Sequence, residues 1–118
     1  MKSYKDLDVW KKAKELVVDI YTSTANFPSE ERFGLISQLR RAAVSVPANI
    51  AEGHGRNHSK DIIQFLHIDR GSLYEVETLV LISDDLNFFN ETSSVQLINK
   101  TTDCIKMLNG LINYFASK

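Results

Sequence analysis

Apolar residues recur at intervals of three and four along four stretches of this chain, and polar residues fill the positions between them. That period belongs to amphipathic helices. In the first stretch, roughly 7 to 25, Trp10, Ala13, Val17 and Ile20 form one stripe, and Asn26 ahead of Phe27-Pro28 supplies a stop. In the second, roughly 30 to 52, Phe33, Ile36, Leu39, Ala43, Val46 and Ile50 align, with Ser29 as N-cap, Glu30 and Glu31 in the first turn and Gly53 as terminator. The third, roughly 60 to 89, carries Ile62, Leu66, Leu73, Val76 and Val80. The fourth opens with "SSVQ", in which Ser93 and Gln96 suit a capping box, and continues through Ile98, Ile105, Leu108, Ile112 and Phe115.

No stretch alternates with the period of a strand, so the pattern predicts an all-α protein, an up-down-up-down four-helix bundle in a single domain spanning 1–118. The links "NFPS", "GHGRNHS" and "NETS" are short enough to join antiparallel neighbours. Helices of about 20 to 30 residues would be about 30 to 45 Å long, which makes the expected shape a rod. A second apolar edge accompanies the main stripes: Leu35, Ala42 and Val44 in the second helix, Leu79, Leu81 and Ile82 in the third. It points to a lateral face used for self-association rather than only to a wide core.

Composition narrows the class. At 118 residues, 43% of them hydrophobic, the chain suits one core, and no apolar run is long enough to span a membrane. "MKSYKDLDVW" lacks the apolar centre of a signal peptide, and a lone cysteine, Cys104, rules out an intrachain disulfide; both favour the cytoplasm. The net charge of −1 argues against a surface wholly devoted to nucleic acid, but it conceals a gradient. Residues 1–60 hold ten Lys/Arg and seven Asp/Glu; residues 61–118 hold four and eight. Attraction between the two halves of a bundle is the favoured reading of this asymmetry, with one basic face as the alternative.

Candidate chemistry is sparse. Pro47 lies inside the second helix, where it removes the donor to the Ala43 carbonyl at a cost of about 3 kcal/mol. A kink is the expected result, with Ser45 bonding back to an upstream carbonyl and Asn49 offering its amide to backbone exposed there. Gly71, in a helix interior, predicts close helix contact, with the small Ser72 beside it. Arg40 and Arg41 flank the inward stripe and suit either pairing with Glu75 and Glu77 on the third helix or contact with phosphate. His54 and His58 are four apart, but Gly53 and Gly55 put them in a turn, so no metal is expected. Cys104 reads as a buried apolar residue. No triad or carboxylate dyad stands out, no cofactor is implied, and an enzyme is the disfavoured class.

The segment "LDVWKKAKELVVDIYTSTANFPSEERFGLISQLRRAAVSVPANIAEGHGR", with its "FGL" and "QLRRAAVSVPANIAEG" motifs, followed by "FLHIDRGSLYEVET" with "RGSL", resembles the four-helix bundle family related to proteins encoded by intervening sequences of bacterial 23S rRNA genes. The resemblance implies a non-enzymatic homopentameric barrel whose biochemical role is not established. A basic branch of the wider group resembles the accessory variability determinant of diversity-generating retroelements, which binds RNA and a reverse transcriptase. If RNA is a partner here, Arg40, Arg41, Arg56 and Lys60 are the expected contacts, the last two bracketing the basic loop at a helix N-terminus. A protein partner is the other expectation. Two features depart from the resemblance: a pI near 6.3, low for phosphate binding, and Asp69 where the family pattern has a small residue. An acid on that apolar stripe needs a partner, solvent or an interface.

Overall fold

Residues 3–118 are described by the computed structural model, which holds four α-helices, two 3₁₀ turns and, among the described residues, no strand. A 3₁₀ turn at Tyr4–Asp6 leads into α1, Asp8–Thr24; a second, Ser29–Glu31, precedes α2, Leu35–His54; α3 is Ser59–Asp85 and α4 is Glu91–Ala116. α1 packs on α2 and α4, and α3 packs on the same two helices, so all four surround one apolar core. The extents of 46 × 23 × 20 Å follow from helix length, since 27 residues at 1.5 Å each reach about 40 Å.

Spacing determines which residues reach that core. In α1 the buried line is Val9, Ala13, Leu16, Ile20 and Thr24. Trp10 and Val17, expected on the stripe, sit on its shoulder, half-buried against the core. The Lys14 ammonium covers the Trp10 ring 4.5 Å from its centre, an arrangement that keeps a large amphipathic side chain at the water boundary. α2 buries Leu39, Ala42, Ala43, Val46 and Ile50; α3 buries Leu66, Leu73, Val76, Leu79 and Val80; α4 buries Leu97, Cys104, Ile105, Leu108 and Ile112. Ile98 and Phe115 are partly buried at its edge.

The helix ends correct several expectations. α2 starts at Leu35, because Gly34, at φ −106° and ψ −115°, breaks the path between the 3₁₀ turn and the helix. Ser29 therefore does not cap α2; the Glu31 carboxylate accepts from the Leu35 N–H at 3.1 Å instead, and Phe33, left in the link, is 88% exposed. Gly53 does not terminate α2. It is buried, and a Cβ there would lie 3.0 Å from Phe65 Cβ, so its smallness lets α2 and α3 approach. α3 stops at Asp85: Asn87 takes φ 61°, its N–H bonds Asp84 O and the Phe88 N–H bonds Ser83 O, the paired bonds of a Schellman motif. Asn90 then caps α4, its Oδ1 accepting from Ser93 N–H at 2.8 Å, so the Ser93–Gln96 box does not form.

Candidate functional site

Arg40 is committed to the fold. Its Nε donates to Thr24 Oγ1 at 3.1 Å, its Nη2 to the Tyr21 carbonyl at 3.3 Å, and its guanidinium stacks 4.4 Å from the Tyr21 ring centre. Two oxygens near the end of α1 thus gain a cationic donor where the helix dipole favours one. Arg41 is exposed. It shares an α2–α3 groove with Glu75 but forms no ion pair with it or with Glu77.

The two remaining basic candidates lie beyond the other end of α2, whose last residue, His54, is about 20 Å along the helix from Arg41 at 1.5 Å per residue. Arg56 donates to Glu52 at 3.3 Å and stacks 5.3 Å from the Phe65 ring centre. Lys60, in the first turn of α3, is exposed and unpaired. The structure brings Arg56 and Lys60 to one end and leaves Arg40 and Arg41 apart from them. The link is only Gly55–His58, because His54 still belongs to α2 and His58 is the N-cap of α3; the expected turn holding both histidines is therefore shorter than the sequence suggested.

The α2–α3 seam is polar where Pro47 sits. α2 runs through Pro47 unbroken. Ser45 donates to the Ala42 carbonyl at 2.7 Å and lies 3.0 Å from the Ser72 hydroxyl, so the serine pair makes the close approach expected of Gly71. Within the chain Gly71 makes no such contact: a Cβ there would meet nothing within 4 Å. Asn49 makes no hydrogen bond to backbone. It faces Asp69, which is fully buried with no hydrogen-bond partner on either carboxyl oxygen. Burial pushes the Asp69 carboxyl up to about 8; the nearby Asn49 amide pulls against that shift without reaching bonding geometry. Asp69 is thus neither ion-paired nor solvated, and stays protonated at neutral pH.

Among the described residues no group of three or more His, Cys, Asp or Glu could hold an ion. Cys104 is sealed in the core, where burial pushes its thiol up to about 11 and leaves little nucleophilic thiolate. An open hollow of about 360 Å³ along α1, lined by Lys11, Lys14, Glu15, Val18 and Asp19, holds no nucleophile placed beside a base.

The family model of the 23S rRNA-intervening sequence protein matches residues 5–110. The chain belongs to this family. An intervening-sequence protein of this kind has a counterpart in a crystal structure of a protein of unknown function, from the S23 ribosomal protein family of Bacteroides thetaiotaomicron. The two agree with a TM-score of 0.79 over 88% of this chain and 97% of the other, at 24% identity, a likeness of fold. No curated protein matches this intervening-sequence protein. No helix among its described residues is long and apolar enough to cross a membrane.

The second apolar edge expected from the sequence divides: Ala42 and Leu79 belong to the core and Leu35 packs against it, while Leu81 and Ile82 lie in an outward stripe on α3. Ile68, Tyr74, Leu81, Ile82 and Leu86 are all exposed, as are Val18 and Tyr21 on α1 and Val44 on α2. Leu81 and Ile82 were visible as a second apolar edge, but Ile68 and Tyr74 join them only when the inward face is known.

Proposed function

We propose that this chain is a non-enzymatic assembly module of the cytoplasm, an up-down-up-down bundle that closes with identical copies into a cyclic homopentamer. The observation that carries the reading is the exposed apolar stripe along α3, on a chain whose core is already filled. Exposed apolar side chains gathered on one helix face are a common mark of an interaction surface. The antiparallel order is supported by Tyr4, ahead of α1, lying 6.4 Å from the His54 ring that ends α2, while Arg40 near the start of α2 reaches Thr24 at the end of α1. The number five comes from the family resemblance. Light scattering on the purified chain tests it: a mass about five times 13.4 kDa is expected, and a monomer at tens of micromolar would overturn the reading.

A second reading is RNA contact at the end of the bundle carrying Arg56 and Lys60. The observation in its favour is that both side chains are exposed beside the N-terminus of α3. Glu52 and Asp61 stand close by and weaken the patch, although cyclic repetition would multiply it. Binding to structured RNA across a salt series separates the readings. Steeply salt-dependent affinity that is lost in Arg56→Glu/Lys60→Glu favours RNA, and no binding at low salt removes it.

A further inference from the structure

The contacts between α2 and α3 follow one register along their seam. Ser45 meets Ser72 at 3.0 Å, Asn49 faces Asp69, and Gly53 lies against Phe65. The middle of this seam is thus polar on both helices, and at its centre Asp69 is fully buried with no hydrogen-bond partner on either carboxyl oxygen. A carboxyl so placed is tolerated only without its charge. No counter-charge is at hand. Among the described residues α3 packs on α2 and α4 alone. From Ala42 to Ala51 α2 has no charged residue, and Arg41 and Glu75 stand in the open groove outside the seam. On α4, Cys104 is buried, Asp103 and Lys106 are exposed, and Lys100 is held by Asp19 of α1. On α3 itself, His67 and Arg70 contact each other, and Arg70 also reaches Asn109. What acts on the Asp69 carboxyl is burial, opposed by the Asn49 amide.

The same seam offers water a way in. The groove beside Arg41 and Glu75 is also lined by Ser45 and Ser72, and Ser72 is three residues from Asp69, less than one turn of α3. Deeper in, Val46, Leu66 and Leu73 are buried and give water no partner. The α2 side of the seam is already short of one ladder bond, because Pro47 has no N–H for the Ala43 carbonyl. We infer that Asp69 is a latch on this seam: ionisation of its carboxyl draws water past the Ser45–Ser72 pair and parts α2 from α3 locally, while α1 and α4 stay folded. In the closed seam the acid keeps its proton; in the open one the proton is lost to solvent and the carboxylate is hydrated. Burial holds the carboxyl up at about 8 when the seam is closed, so the open form gains about tenfold in population for each unit of pH between 5 and 8.

The test is native-state hydrogen exchange of the full chain, read by mass spectrometry from pH 5 to 9, with each rate taken relative to an unprotected amide at the same pH. Peptides from 42–53 and 65–76 should exchange sooner than those from the buried parts of α1 and α4, and their protection should fall about tenfold per pH unit up to pH 8. Asp69→Asn and Asp69→Ala, neither of which can ionise at this position, should each remove that fall. The wild type alone tests whether the opening is local. A seam that exchanges no sooner than α1 and α4 opens only with the whole bundle, and the latch is overturned. A fall that persists in either folded variant assigns the proton to another group and overturns it equally.

Discussion

At the scale of single residues, Asp69 sets the most direct expectation. Burial raises its carboxyl to about 8 in the folded chain, whereas in the unfolded chain it loses its proton near the ordinary 3.8. Between those values the folded state holds one proton more than the unfolded state. Stability must therefore fall as pH rises across this window, by about 1.4 kcal/mol per pH unit, and level off above pH 8. Urea titrations from pH 4 to 9 should show that decline, and Asp69→Asn should flatten it; an unchanged slope in the variant would place the titrating group elsewhere. Arg40→Ala should cost about 1 kcal/mol or more, because Thr24 and the Tyr21 carbonyl lose a charged donor, and the loss should appear as a lower thermal midpoint. Asn87, at φ 61°, tolerates glycine but not alanine. Asn87→Ala should destabilise by about 1 to 2 kcal/mol while Asn87→Gly stays near neutral, measured by chemical denaturation.

Helices were legible because burial imposes a period that sequence displays. Leu39, Val46 and Ile50 lie on the stripe where spacing put them, and so do Leu73, Val76 and Val80. The ends were less legible, since a cap is decided by competition between neighbours: Asn90 outbids Ser93, and Gly34 cuts off Ser29. Glycine misled in a related way. Gly53 looked like a stop and proves to be a helix contact, whereas Gly71 looked like a contact and faces open space, because sequence does not say which side of a helix has a neighbour. The two therefore respond oppositely. Gly53→Val should destabilise by about 1 to 3 kcal/mol through collision with Phe65, while Gly71→Ala should stabilise the isolated bundle by up to about 1 kcal/mol. Of the four basic candidates, Arg56 and Lys60 could be grouped from their places around one loop, whereas Arg40 and Arg41 lie toward the opposite end of α2, and about 20 Å of helix separates Arg41 from His54.

On the scale of the whole molecule, a narrow rod of four helices leaves much side surface for its volume. Assembly through the exposed apolar stripe of α3 should persist at high salt, and sedimentation in 50 mM and 500 mM sodium chloride would show whether the oligomer holds. The sealed thiol of Cys104 has a practical consequence for following such events. It is the only sulfhydryl in the chain, has no exposed surface, and reacts only as thiolate, so a reagent such as a maleimide must wait for the helices to part. Its labelling rate is thus a clock for the opening of the core, already installed, and comparing that rate in assembled and dissociated protein would show how firmly neighbouring copies hold each bundle shut.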